Sequence, residues 1–261
     1  MLRIIGQLLM VPEVARLARR TPRDPATAWE GYWSGVRTTG TQGEVLWDAD
    51  IGPEAEQYTR VMEASMDFTL PVLDVGCGNG RWTRWLAAGF PTAVGVDIAE
   101  SAVQRARQET GGIGAISFRT LDLTDPGTGH MLHEEYGDMN VFVRGVFHVL
   151  RGRQREQLGQ NLHSVVGRHG RLLLTETNYR GNPLSYMQSL GATRGSIPLP
   201  LRKAIGGIPV PGHFGPGERR AAFPEEAWKV LADGPVTIEA VPMGGEGTTG
   251  IPGYFATMGA R

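Results

Sequence analysis

Apolar positions along the chain fall into two rhythms. Short apolar runs within residues 71–75, 92–98, 115–123, 137–144 and 171–177 are bounded by glycine, proline or charged residues, as buried strands are. Between them, apolar residues recur at helical spacing. Tyr58, Val61, Met62 and Met66 make one side of a helix over 53–67, and Trp82, Trp85 and Leu86 make the inward side of the next. A third helix is expected over 101–110, stopped by Gly111 and Gly112. Leu158, Leu162, Val165 and Val166 share one side of a helix over 153–168. Strands alternating with helices predict a parallel sheet covered on both faces. Right-handed crossovers then bring the strand ends to one edge, where ligands bind.

The rhythm changes at both ends. Leu2, Ile5, Leu8 and Leu9, then Val14, Leu17 and Ala18, keep helical spacing, while Arg16, Arg19, Arg20 and Arg23 lie on the other side or in the tail. A basic amphipathic helix of this kind covers its own domain, pairs with a second subunit in a homodimer, or lies on an anionic membrane. Residues 29–47 carry Trp29, Tyr32, Trp33 and Trp47 among glycines and threonines. Burying such rings contributes about 2–3 kcal/mol each, so they cover something, either the core or a ligand. Residues 178–223 are rich in Gly, Pro and Arg, with one short helix expected near 183–189. Arg180, Arg194, Arg202, Lys203, Arg219 and Arg220 stand there against the single acid Glu218, which suits an acidic substrate or a solvated loop. A segment that long is functional or mobile. A helix over 224–231 and strands over 236–241 and 254–258 are expected to close the chain.

Composition narrows the function classes. With 261 residues the chain can bury one sizeable core, and 26 basic against 27 acidic side chains give no polyanion-binding character, so no nucleic acid is expected. The single Cys77 excludes an intrachain disulfide and a C-x-x-C metal site. Of six scattered histidines, His130 and His133 form the one close pair, in an expected loop without partner ligands, so no metal is expected either. No apolar run reaches the roughly 18 residues of a transmembrane helix. The apolar start has no small-residue cleavage site, which points to a cytoplasmic protein.

The chemistry concentrates in Val72-Leu73-Asp74-Val75-Gly76-Cys77-Gly78-Asn79-Gly80. Strand, tight turn and helix start follow one another here. Glycines at alternate positions allow φ > 0 and let a ligand approach the main chain. The helix start aims unpaired N–H groups at the same place. Arg81 stands where the dinucleotide fingerprint needs its third glycine, and the glycine-lysine phosphate cradle is absent. The acid two places before the first glycine suits a cofactor that carries an ammonium group.

This D-x-G-x-G-x-G stretch resembles the first motif of the class I S-adenosylmethionine-dependent methyltransferases. The resemblance covers about residues 70–260 without 178–223. It implies an α/β fold, a Rossmann-like doubly wound seven-stranded sheet, mostly parallel with a final antiparallel strand. An N-terminal helical cap and a lid inserted after the fifth strand go with it. One domain over 1–261 is implied: helix and aromatic lid to 50, cofactor core over 51–177, substrate lid over 178–223, closing elements over 224–261. S-adenosylmethionine is then the cofactor, held by Asp74, Gly76, Gly78 and Gly80. Asp97, with Ile98, would accept the ribose hydroxyls. The family's counterpart of Asp122, with Leu123, faces the adenine; Arg144 follows the fourth strand, and Tyr32 and Trp33 come from the aromatic segment. The W-x-x-x-W spacing of Trp29 and Trp33 is similar to the thiopurine methyltransferase-like branch.

Family members often carry a histidine just after the fourth strand, and His148 matches that place. It either takes a proton from the acceptor or is hydrogen-bonded at the sheet edge. Glu176 and Tyr179 are further candidates. Val143-Arg144-Gly145 stands where exocyclic-amine DNA methyltransferases have Asn- or Asp-Pro-Pro-Tyr, which favours a small-molecule substrate. The implied reaction is methyl transfer to an O, N or C atom, as in secondary metabolism. The alternative is a cofactor-binding protein that transfers no methyl group: a cyclase, a decarboxylase or a regulatory subunit.

Overall fold

The computed structural model describes residues 11–181, 183–193, 196–241 and 249–261. Its strands are β1 Val72–Val75, β2 Ala93–Asp97, β3 Ile116–Thr120, β4 Asn140–Arg144, β5 Leu172–Thr177, β6 Trp228–Ala240 and β7 Thr249–Ala260. They form one sheet in the order β3-β2-β1-β4-β5-β7-β6. β1 to β5 pair in parallel, and β7 runs against both β5 and β6, so one strand alone is reversed. That is the doubly wound seven-stranded sheet expected.

Side-chain alternation sorts the two faces. Leu73, Val75, Val141, Val143, Leu172 and Leu174 pack under the helices Thr128–Tyr136 and Arg153–Val166, against Leu132, Leu158 and Leu162. Val72, Phe142 and Leu173 face the helices Gly52–Glu63 and Arg81–Leu86, against Tyr58, Met62 and Leu86. Strands buried on both faces read as continuous apolar runs, which is why β1, β2 and β4 were visible in the sequence. The strand order reverses between β1 and β4, and a crevice opens beyond their carboxyl ends.

Several expectations are corrected. Residues 228–231 belong to β6 and not to a helix; the pairing Trp228↔Ala260 satisfies a backbone whose short apolar run fits either period. Residues 128–136, expected as a loop, form a helix between Gly127 and Gly137, with Leu132 turned into the core. The 178–223 segment holds three helices, Pro183–Ser189, Leu199–Gly207 and Pro216–Ala222, where one was expected. Proline in the first turn starts the last two.

β5 pairs with β7 only as far as Thr177↔Gly253, whereas β6 and β7 stay paired to Ala240↔Thr249. The outer half of this hairpin therefore rises beyond the sheet edge. Its Ile238, Ala240 and Ile251 pack on Leu17, Met187, Leu190 and Leu201. Residues 11–18 are helical, with Leu17 buried in that cluster and Arg16, Arg19, Arg20 and Arg23 exposed. The apolar side of this helix thus covers the chain's own core. Leu2, Ile5, Leu8, Leu9, Arg194 and the connection 242–248 lie outside the described residues. Among the described residues, no helix is long and apolar enough to cross a membrane, and no group of three His, Cys, Asp or Glu could hold a metal ion.

Candidate cofactor and acceptor site

The turn after β1 has φ of 72° at Gly76, 54° at Gly78 and 74° at Gly80, all in the left-handed region. A Cβ on Gly78 would stand 2.8 Å from Cζ2 of Trp33, so the turn needs glycine for space as well as for conformation. Asp74 is buried on β1 and accepts a hydrogen bond from the Thr83 hydroxyl at 2.5 Å. Burial, with the Asp97 charge adding to it and Thr83 opposing, raises its pKa to about 7. Asp97 closes β2 and accepts from the Gly78 N–H at 2.9 Å and the Ala99 N–H at 3.0 Å. Burial outweighs these bonds and lifts it to about 6. Asp122 follows β3; its Oδ1 accepts from the N–H and hydroxyl of Thr124 at 2.7 Å each. Burial pushes the Cys77 thiol up, which leaves it an unreactive packing group.

The aromatic segment covers this turn. Asp24 caps the helix Pro25–Ser34, which carries Trp29, Tyr32 and Trp33. Trp33 lies over Gly78, and Tyr32 stacks on Trp47 behind it at 5.4 Å between ring centroids. Asp48 holds the end of the segment, accepting from Asn79 at 3.0 Å and Arg81 at 3.1 Å. Lys203 pairs with Glu44 at 2.7 Å on the other side.

At the end of β4, Arg144 donates to Glu54 through Nε at 2.6 Å and Nη2 at 2.9 Å. Glu54 also accepts from the Tyr58 hydroxyl at 2.5 Å and the Glu239 N–H at 2.9 Å. The Arg144 guanidinium lies 5.3 Å from the Trp82 ring centre. In the loop beyond, His148 Nδ1 is 2.7 Å from Oε2 of Glu176, a residue with no exposed surface. The Glu176 carboxylate also accepts the main-chain N–H groups of Val146, Phe147 and His148, at 2.9, 2.7 and 3.1 Å. A fully buried acceptor at Nδ1 assigns the ring proton to that nitrogen and leaves the Nε2 lone pair available.

One cavity of about 610 Å³ joins these groups. Its wall includes Asp74, Gly76, Gly78, Asp97, Ile98, Asp122, Leu123, Arg144 and His148, together with Trp33. Of the residues expected at the site, Gly80, Tyr32 and Glu176 are not on the wall: Gly80 begins the helix Arg81–Leu86, Tyr32 backs Trp33, and Glu176 lies buried behind His148. The rest of the wall is chiefly apolar, from Leu46, Met187, Leu201, Ile205, Ile238 and Ile251. Three of the five described arginines and lysines of 178–223 have internal partners: Arg202 pairs with Glu13, Lys203 with Glu44, and Arg219 is buried beside Tyr254 and Asp233. Arg180 does reach the wall.

Residues 72–170 match the methyltransferase-domain family. A crystal structure of an S-adenosylmethionine-dependent methyltransferase from Anabaena variabilis is similar at 29% identity and a TM-score of 0.78, over 93% of this chain and 97% of that one. The chain is an S-adenosylmethionine-dependent methyltransferase. Two more distant structures share the methyltransferase's fold. One concerns conversion of a disulfide bond into a thioacetal group in echinomycin biosynthesis, at 20% identity and TM-score 0.65, over 89% of this chain and 91% of that one. The other is magnesium protoporphyrin IX methyltransferase from Synechocystis, at 18% and 0.52, over 80% and 81%. No curated protein matches the chain. Three residues around the methyltransferase's site carried no sequence signal of their own: Asp48 and Glu239, which line it from loop and outer hairpin, and Glu54, which holds Arg144 from a helix behind.

Proposed function

We propose that the methyltransferase methylates a hydroxyl oxygen of an apolar small molecule, with His148 as general base. The observation that carries this is His148 on the wall of a largely apolar cavity, held from behind by the buried Glu176 carboxylate. The glycine cradle and its flanking acids fit S-adenosylmethionine, which supplies an electrophilic methyl group on a sulfonium. Asp97, already bound to the Gly78 N–H, accepts the ribose hydroxyls. Asp74 stands beneath the turn, hydrogen-bonded to Thr83, and Asp122 with Ile98 and Leu123 forms the adenine wall. Trp33 excludes water from the turn, with Tyr32 behind it. Arg144 is neutralised by Glu54, so it shapes the mouth between β1 and β4 and does not offer a free guanidinium.

On the acceptor side, residues 178–223 and the outer hairpin make the roof. The buried Glu176 carboxylate keeps the His148 proton on Nδ1 and stabilises the ring when Nε2 takes the hydroxyl proton. Desolvation by the apolar wall strengthens that transfer. The test is methyl transfer to a panel of hydroxylated aromatic and aliphatic acceptors, followed as S-adenosylhomocysteine release. His148→Ala should lower turnover about 10²-fold or more while affinity for S-adenosylhomocysteine holds. Undiminished turnover in that variant would remove histidine from the chemistry.

A further inference from the structure

Glu239 is the one carboxylate of the cavity wall left short of a partner among the described residues. It is 8% exposed, and its Oε2 is buried and accepts no hydrogen bond. Buried carboxylate oxygens are ordinarily paired, because removing them from water without a donor is costly. The nearest cation is already engaged: Arg144 gives Nε and Nη2 to Glu54, and Nη2 also reaches the main-chain oxygen of Glu239 at 3.3 Å. The Glu239 N–H is itself given to Glu54. Its neighbours along β6, Ile238 and Ala240, belong to an apolar cluster with Ile251 and Leu201. Nothing described in the chain therefore supplies the missing donor, while the cavity borders the residue.

We propose that Glu239 anchors an ammonium or other N–H donor group of the acceptor, so that the methyltransferase selects apolar molecules carrying a basic nitrogen. This rests on the reading that the cavity beyond the glycine turn holds a small-molecule acceptor. The carboxylate is assigned to the acceptor because the outer hairpin that carries it also supplies Ile238 and Ile251 to the apolar part of the cavity wall. A donor arriving on an apolar body pairs with the Glu239 carboxylate and buries its carbon skeleton against the apolar remainder of the cavity wall. A neutral analogue of the same shape offers at most an uncharged donor, and an acidic one is repelled.

Isothermal titration of the protein saturated with S-adenosylhomocysteine tests this, using 3-phenylpropylamine, 3-phenylpropanol and 3-phenylpropanoate as matched probes. Wild type should bind the amine at least about tenfold more tightly than the alcohol or the acid, as a charge-assisted bond implies. Glu239→Gln should abolish that ranking and leave S-adenosylhomocysteine affinity within about twofold of wild type. Equal binding of the three probes by wild type, or an amine preference that survives in Glu239→Gln, overturns the proposal. A tenfold loss of S-adenosylhomocysteine affinity in the variant also overturns it, by giving the carboxylate to the cofactor. Failure of all three probes to bind wild type would instead remove the underlying acceptor-cavity reading, and the proposal with it. The wild-type ranking decides the matter even if the variant does not fold.

Discussion

Replacing Glu176 by glutamine changes one oxygen to an amide and should cost both stability and turnover. The carboxylate accepts four N–H bonds: Val146 and Phe147 at Oε1, and the His148 main chain and ring at Oε2. An amide can accept at one of these two positions only. Whichever way it is placed, two N–H donors face its NH2 group. With the residue fully buried, each unsatisfied donor costs about 1–3 kcal/mol, so Glu176→Gln should lose roughly 1–6 kcal/mol, least where the ring shifts its proton and accepts at Nδ1, read from urea unfolding. The catalytic effect is separate. If the amide NH2 turns to the ring, Nδ1 becomes the acceptor and the proton moves to Nε2, where it blocks proton uptake. Turnover should then fall about 10²-fold at a pH where the variant is folded. Because both residues act as one unit, Glu176→Gln combined with His148→Ala should be no slower than the slower single variant. A Glu176→Gln protein with stability within about 1 kcal/mol of wild type and unchanged turnover would refute the pairing.

Gly78→Ala should destabilise the fold and weaken S-adenosylhomocysteine binding, because its Cβ meets Trp33 at 2.8 Å with φ at +54°. Trp33→Ala should cost about 3–5 kcal/mol, and the double variant should be less than additive in thermal or denaturant unfolding; strict additivity would unseat the ring from the turn. Asp97, raised to about 6, and Asp74, raised to about 7, are more protonated in the folded chain than in the unfolded one, where each titrates near 3.8. The contribution of these two acids to apo stability should therefore be complete below about pH 4 and decline toward pH 7, and Asp74→Asn should flatten that decline. S-adenosylhomocysteine affinity should rise through pH 6 with proton release, seen by calorimetry in two buffers; a pH-independent affinity would count against Asp97 as the ribose acceptor. Arg144→Met leaves Glu54 buried without its cation and should cost about 3–5 kcal/mol in denaturant unfolding, largely recovered on adding Glu54→Gln.

The strand-helix alternation, the glycine turn and the acids closing β1 to β3 were legible in the chain because they are written locally. Apolar periods of two and 3.6 report which face of an element meets the core, and a turn with three left-handed residues demands glycine wherever it is placed. Trp228–Ala240 shows where such patterns fail: its opening four residues suit helix or strand, and the partner that decides between them is Ala260 at the far end of the chain. The groups that turn a cofactor fold into a reaction site are of the same kind. His148 meets Glu176 from the next strand, Arg144 meets Glu54 from a helix 90 residues earlier, and Glu239 comes to the cavity on a hairpin that outgrows the sheet. No local period encodes these meetings. They follow from strand order, from the length by which β6 and β7 pass β5, and from the requirement that a buried charge find a partner. The basic residues of 178–223 suited an acidic substrate or a solvated loop; the folded chain pairs Arg202 and Lys203 internally and sets Glu239, short of a partner among the described residues, beside a largely apolar cavity.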